Sequence, residues 1–155
     1  MSPGVRSTTG RAESLRHLEQ EVGVLIRRIR RVIAERAELV HEDLQPASYL
    51  MLAYVAEHGP LRASSMSEVF GIDKGAISRQ VQHLVDLRLV HRVTDPDDGR
   101  ASLVSATDEA VRRLEDVAQH RRRWLDERLG DWSDERLAAF ARELGHDPEA
   151  LNPPS

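Results

Sequence analysis

The stretch Asp73-Lys74-Gly75-Ala76-Ile77-Ser78-Arg79-Gln80-Val81-Gln82-His83-Leu84-Val85 decides how the rest of the chain is organised. Asp73 is suited to cap a helix, because its carboxylate accepts the free N–H groups of a first turn. Ile77, Val81, Leu84 and Val85 then recur at i, i+4, i+7 and i+8, an apolar stripe of helical period. The opposite face carries Gly75, Ala76, Arg79, Gln82 and His83. Small residues come first; guanidinium, amide and imidazole groups follow. Such a face can approach a base-pair edge closely and then hydrogen-bond to it.

Working outward, Ser64 to Phe70 reads as a short helix, with Ser65 and Glu68 at capping-box spacing. Gly71-Ile72-Asp73 makes a tight turn between the two helices, so the pair is a helix-turn-helix. Met66, Val69 and Phe70 are expected to meet Ile77, Val81 and Leu84 in one small core. After Leu87-Arg88-Leu89 the period changes from helical to alternating. Val90–Val93 and Ala101–Ser105 read as strands, and the turn formers from Thr94 to Arg100 lie between them. A helix-turn-helix followed by a hairpin with a charged tip is a winged helix.

On the N-terminal side, residues 1–12 are read as a disordered N-terminus, rich in Gly, Ser and Thr at its start. Glu13–Val40 reads as a long helix whose apolar residues, from Leu15 and Leu18 through Ile26 and Ile33 to Val40, form a stripe that needs a partner. The run Arg27-Arg28-Ile29-Arg30-Arg31 in its middle reads as a solvated face. His41 to Pro46 breaks this helix. The nearly all-apolar Ala47–Glu57 should be a central buried helix ending at Gly59-Pro60, and Leu61-Arg62 a single extended step. On the C-terminal side, Thr107 caps a helix running to Gly130, and Ser133 opens a last one ending near Gly145. Residues 147–155, with three prolines, read as a flexible tail.

Composition removes several function classes. The 155 residues contain no cysteine, which excludes disulfides, thiolate zinc sites and thiol-based redox sensing. No apolar run reaches the roughly 18–20 residues of a membrane span, and Met1–Ser7 lacks a signal-peptide core, so the expected compartment is cytoplasmic. The net charge of −4 argues mildly against a nucleic-acid partner, but a local basic face outweighs the sum. The 7 histidines are scattered without HxxxH or HExxH spacing. No metal site is therefore assigned, although His41-Glu42-Asp43 is a small cluster of possible ligands. There is no phosphate loop, nucleophile elbow or zincin helix, so the chain is not read as an enzyme and no cofactor is expected.

The order long helix, buried helix, helix-turn-helix, wing, long helix, short helix resembles the MarR family of bacterial transcriptional regulators over residues 13–146. The residues that carry the likeness are Gly71-Ile72-Asp73-Lys74, Ile77-Ser78-Arg79-Gln80-Val81, Leu89-Val90-His91-Arg92 and above all Asp98-Gly99-Arg100, followed by Ala106-Thr107. Ala106 replaces the family's usual Leu, and Leu87-Arg88-Leu89 lacks the glycine common before that strand. The resemblance implies a mainly α fold with a small β-hairpin wing. Residues 46–106 would be the winged helix-turn-helix, and residues 13–45 and 107–146 a helical dimerisation region. It further implies a homodimeric repressor of a palindromic double-stranded DNA operator. Release would follow when a small-molecule, often phenolic, effector fills the cleft between dimer helices and winged helix.

In that reading Lys74 meets phosphate at the start of the recognition helix, and Gly75 and Ala76 permit close approach. Arg79 and Gln82 face base edges. Ser78, Gln80 and His83 stand at the flanks, toward phosphates or bases. Ser64 and Ser65 offer hydroxyl and backbone donors to phosphates, and Arg100 at the wing tip enters the minor groove. Asp98 is expected to orient an arginine within the protein, and Arg92 is open between an internal pair and a phosphate contact. The ligand-lining residues are unknown; Tyr49, Tyr54 and Trp124 could line a cleft, but residues of this kind at these positions are more often core. The alternative function is a protein-interaction module on a winged helix that binds no specific DNA.

Overall fold

The first helix, α1, spans Thr8–Val40. The computed structural model describes residues 8–145. Residues 8–12, expected to be disordered, are therefore helical: once the long apolar-striped segment is nucleated, each added residue contributes another i→i−4 bond. Ser14 Oγ reinforces this turn by donating to Gly10 O at 2.9 Å. The rest of the expected N-terminal disorder and the expected tail at 147–155 lie outside the described residues.

Eight elements follow: α2 (Pro46–His58), β1 (Leu61–Arg62), α3 (Ala63–Phe70), α4 (Lys74–Asp86), β2 (Val90–Asp95), β3 (Asp98–Ala106), α5 (Asp108–Arg128) and α6 (Asp134–Gly145). The chain divides into two units, Met1–Val117 and Ala118–Ser155. The core of the first unit gathers Ala37 and Val40 at the end of α1, Met51, Leu52 and Val55 of α2, Met66 of α3, and Ile77, Val81 and Leu84 of α4. Leu89, Val90 and Val104 close it from the sheet side. The stripe read from the sequence of α4 is thus the side that packs. Val69, expected in this core, is 50% exposed, and it is Phe70, four residues after the buried Met66, that packs against the core.

Pro46 sits in the first turn of α2, where its missing N–H is no loss. At the other end Gly59 is required by space, since a Cβ there would lie 2.4 Å from Val55 O. The sheet has three antiparallel strands in the order β1-β3-β2, so the extended step at Leu61–Arg62 is a strand, pairing Leu61 with Val104 and Arg62 with Leu103. Helix α4 leaves through a Schellman turn: Leu89 N donates to Leu84 O and Arg88 N to Val85 O. The residue at the left-handed position of that turn is Arg88, with φ of +59°. The family's usual glycine is absent at just this junction. Thr107 caps α5 through Oγ1, which accepts Ala110 N at 3.2 Å and itself donates to Arg88 O at 3.1 Å. It thereby ties the start of α5 to the end of α4. Arg113 adds a second tie, donating to Val40 O at the end of α1 at 2.9 Å while Glu109 holds its Nε.

In the second unit Ser133 caps α6 by accepting Arg136 N at 3.2 Å. The Arg136 guanidinium stacks 3.9 Å above Trp132, whose ring meets Phe140 edge-on.

Candidate nucleic-acid interface

The site is built on the turn between α3 and α4. Gly71 ends α3 with φ of +61°, and a Cβ there would touch nothing, so glycine is favoured for its backbone conformation alone. Ser67 Oγ closes the turn onto Ile72 O at 2.5 Å. Asp73 Oδ1 then accepts Ala76 N at 3.0 Å, the expected N-cap. That N–H, with help from Gly75 N and the Arg79 charge, holds the Asp73 carboxyl below its ordinary value of 3.8. Gly75 is fitted to this cap, since a Cβ there would lie 3.0 Å from Asp73 Oδ1.

With Ile77 and Leu84 fully buried beneath it, the outer face of α4 exposes Lys74, Gly75, Ser78 and Arg79. Ala76 and Gln80 are half-buried at its edges. These six sequence-expected residues lie together on the N-terminal half of the helix, where exposed N–H groups and the helix dipole favour phosphate. The C-terminal half differs from expectation. Gln82 is exposed, but its amide bridges within the protein, donating to Asp86 Oδ1 at 2.9 Å and accepting from Arg92 Nη2 at 3.5 Å. Arg92 is exposed and reaches α4 through that long bond to a neutral amide, not through an ion pair. His83 is half-buried and its Nε2 lies 3.1 Å from Asp43 O, on the segment joining α1 to α2. One residue past Gln82, the helical rotation carries its ring off the outer face and onto that connector.

Ser64 is exposed and Ser65 half-buried, both in the first turn of α3. The Ser65–Glu68 spacing forms no capping box, because the helix starts at Ala63 with Arg62 at the N-cap position and no side-chain cap bond. Free N–H groups therefore remain at this end, beside the two hydroxyls.

The wing also departs from the sequence reading. Its strands extend to Asp95 and Asp98, leaving Pro96-Asp97 as the connecting pair. Between Thr94 and Asp95 the partner on β3 jumps from Ser102 to Asp98, so residues 99–101 stand opposite nothing on β2. Arg100, exposed, occupies the centre of this bulge rather than the tip. Asp98 orients no arginine side chain; its Oδ1 accepts Arg100 N at 3.1 Å and fixes the backbone there. The arginine-binding carboxylate is Asp95, 4% exposed. Its Oδ2 accepts Arg62 Nε at 2.6 Å and Nη2 at 2.5 Å, and its Oδ1 accepts Asp97 N at 2.9 Å. The Asp97 N–H first, and Arg62 second, hold Asp95 below the ordinary 3.8. Arg62 and Asp95 were missed because nothing in sequence relates residues 33 apart.

Among the described residues no group of three or more His, Asp or Glu side chains is placed to hold a metal ion. In the possible cluster at 41–43, His41 Nδ1 instead accepts Asp43 N at 3.1 Å. Tyr49 is core, Tyr54 stacks on His58 at 4.2 Å, and Trp124 is 51% exposed under Arg128.

An exposed helix with small and cationic residues at its N-terminal half, packed on a tight-turned partner and flanked by an arginine-bearing hairpin, defines a winged helix-turn-helix DNA-binding protein. A sequence model of the MarR family matches residues 42–101, which hold the whole of this arrangement up to the bulge. The chain is 32% identical over 127 residues to the uncharacterized HTH-type transcriptional regulator YxaD of Bacillus subtilis (strain 168), covering 82% of this chain and 87% of that protein. It belongs to the MarR family of transcriptional regulators. RV1404 from Mycobacterium tuberculosis shares the fold with a TM-score of 0.73 at 21% identity, over 92% of this chain and 97% of that one. A MarR transcriptional regulator from Methanosarcina mazei Go1 does so with 0.67 at 21% identity, over 84% and 92%. YxaD and the Methanosarcina mazei protein are described as transcriptional regulators. Among the described residues no helix is long and apolar enough to cross a membrane.

Proposed function

We propose that this regulator is a cytoplasmic homodimeric repressor that docks two copies of α4 into successive major grooves of a palindromic operator, and that a small-molecule effector releases it. The observation that carries the DNA reading is the outer face of α4, where Lys74, Gly75, Ser78 and Arg79 are exposed while Ile77, Val81 and Leu84 beneath them are buried. Lys74 meets phosphate, Gly75 and Ala76 admit the groove edge, and Arg79 reads a base edge, with Ser78 and Gln80 beside it. Ser64 and Ser65 serve phosphates from α3. Gln82 and His83 take part less directly, because their polar atoms are committed inside the protein.

The dimer is supported by α1. Leu15, Leu18, Leu25, Ile26 and Ile29 are each about half exposed on a single chain, at 46–55%. Removing the rest of each side chain from water contributes on the order of 1 kcal/mol per residue, enough in sum to hold a partner copy. Phe140 and Leu144 of α6 are equally exposed, at 50% and 63%. The effector reading rests on family membership alone, and phenolic compounds are its first test.

Selection of duplexes from a random-sequence pool, followed by mobility shift at about 100 mM salt, tests the proposal. A repressor of this kind enriches a palindrome with half-sites about 10–10.5 bp apart, and phenolic compounds weaken the shift. Absence of any enriched motif favours the interaction-module alternative, for which the net charge of −4 is the one supporting observation.

A further inference from the structure

Arg62 has no place among the expected DNA contacts, yet it makes the most closely packed charged contact of the winged helix. It ends β1 and stands at the N-cap position of α3, where a guanidinium, having only donors, cannot cap the free N–H groups, and it bonds Asp95. Strand β1 and strand β2 are not neighbours; β3 lies between them, with Leu103 pairing both Arg62 and Val93. The Arg62 side chain therefore passes over β3 to reach the end of β2. It arrives where the register breaks, at the first residue beyond Thr94.

A bulge bends its strand and re-aims the residues in it, and it keeps one shape only where something fixes its ends. Here the far end is fixed twice at one carboxylate, by Asp97 N on Oδ1 and by the Arg62 fork on Oδ2. The near end is the Thr94–Ser102 pair, and Asp98 Oδ1 holds the Arg100 backbone between them. Asp95 is 4% exposed, and the Arg62 guanidinium is the cation bonded to its carboxylate. Without Arg62 the buried charge must find solvent, and the simplest route is for the end of β2 to peel outward.

We propose that Arg62 is a positioning residue for DNA binding: through Asp95 it holds the 99–101 bulge in the shape that presents Arg100 to the minor groove. This rests on the reading above that Arg100 touches DNA. The contact also joins the wing to the first turn of α3, so the Ser64 phosphate contact and the Arg100 minor-groove contact are set at one fixed spacing.

The test is a double-mutant cycle on the affinity of the full chain for the duplex it selects from a random pool. Arg62→Ala and Arg100→Ala are each expected to weaken binding about 10-fold. The double variant is expected to bind no more weakly than Arg100→Ala alone, because Arg62 then has nothing left to position. Asp95→Asn, which retains an acceptor for Asp97 N, should reproduce the Arg62→Ala loss and its disappearance in the Arg100→Ala background. It also serves if Arg62→Ala folds poorly. A merely structural Arg62 lowers thermal stability equally in both backgrounds, and its affinity loss persists without Arg100. Additive losses from Arg62→Ala and Arg100→Ala overturn the positioning role while leaving the minor-groove reading intact. An unaffected Arg100→Ala overturns that reading itself.

Discussion

Arg88→Gly should stabilise this protein, although it deletes an exposed charge and introduces the most flexible residue. Arg88 occupies the left-handed position of the turn from α4 into β2, at φ of +59°. A residue with a Cβ is held there against a strain of about 1–2 kcal/mol. The arginine stays because its neighbours demand the turn: Leu89 N reaches back to Leu84 O, both leucines are buried, and Thr107 Oγ1 holds Arg88 O. Glycine relieves the strain but adds about 0.5–1 kcal/mol of unfolded-state freedom. The net gain is about 0.5–1 kcal/mol, or roughly 1–4 °C in Tm for a chain of this length. Thermal unfolding followed by circular dichroism measures it, at one fixed protein concentration because the Tm of the proposed dimer depends on concentration. Arg88→Ala is the control. It removes the same side chain but keeps the Cβ, and should show no gain. Equal Tm values for the glycine and alanine variants would refute the argument, because the effect would then belong to the guanidinium and not to the backbone.

Other consequences follow from the same geometry. Arg79→Ala should weaken operator binding by about 1–3 kcal/mol, whereas Gln82→Ala, whose amide is already committed to Asp86 and Arg92, should change affinity less than about threefold; titration of a labelled operator compares them. Gly59→Ala should destabilise by about 2–3 kcal/mol in urea unfolding, since the new methyl meets Val55 O at 2.4 Å and backbone cannot step aside cheaply. Asp73, Asp95, Glu109 and Glu135 all have carboxyl pKa values lowered in the fold. Their contribution is therefore full above the ordinary carboxylate range and is lost as pH falls through the lowered values. Tm should stay level from pH 7 to about 5 and fall below about 4, with a shallower fall in Asp73→Asn.

The helix-turn-helix and wing could be read from residues because each depends on local signals. Asp73, the stripe from Ile77 to Leu84, and Gly71 all act within one or two turns of themselves, and the structure uses each as its chemistry dictates. What escaped the sequence depends on distance in the fold. Gln82 and His83 share the polar side of the helix on any helical projection; Gln82 bonds Asp86 one turn on, and only the placement of Arg92 and Asp43 supplies the remaining partners. The bulge at 99–101 is invisible because strand register depends on which residues pair, and Asp95 looks like any turn aspartate until Arg62 is found beside it. The Asp98-Gly99-Arg100 motif suggests a carboxylate that orients an arginine side chain, whereas in the fold Asp98 bonds the Arg100 backbone two residues on. The α1 stripe was legible as an unpartnered face, and it remains one on the single chain.

The claim at the centre of this account is that α4 reads base edges through Arg79. The most direct measurement compares the motifs that wild type and Arg79→Ala enrich from one random-sequence duplex pool at the same salt. Wild type is expected to enrich a palindrome, and the variant the same palindrome with preference relaxed at one position in each half-site. Two motifs identical at every position would contradict it.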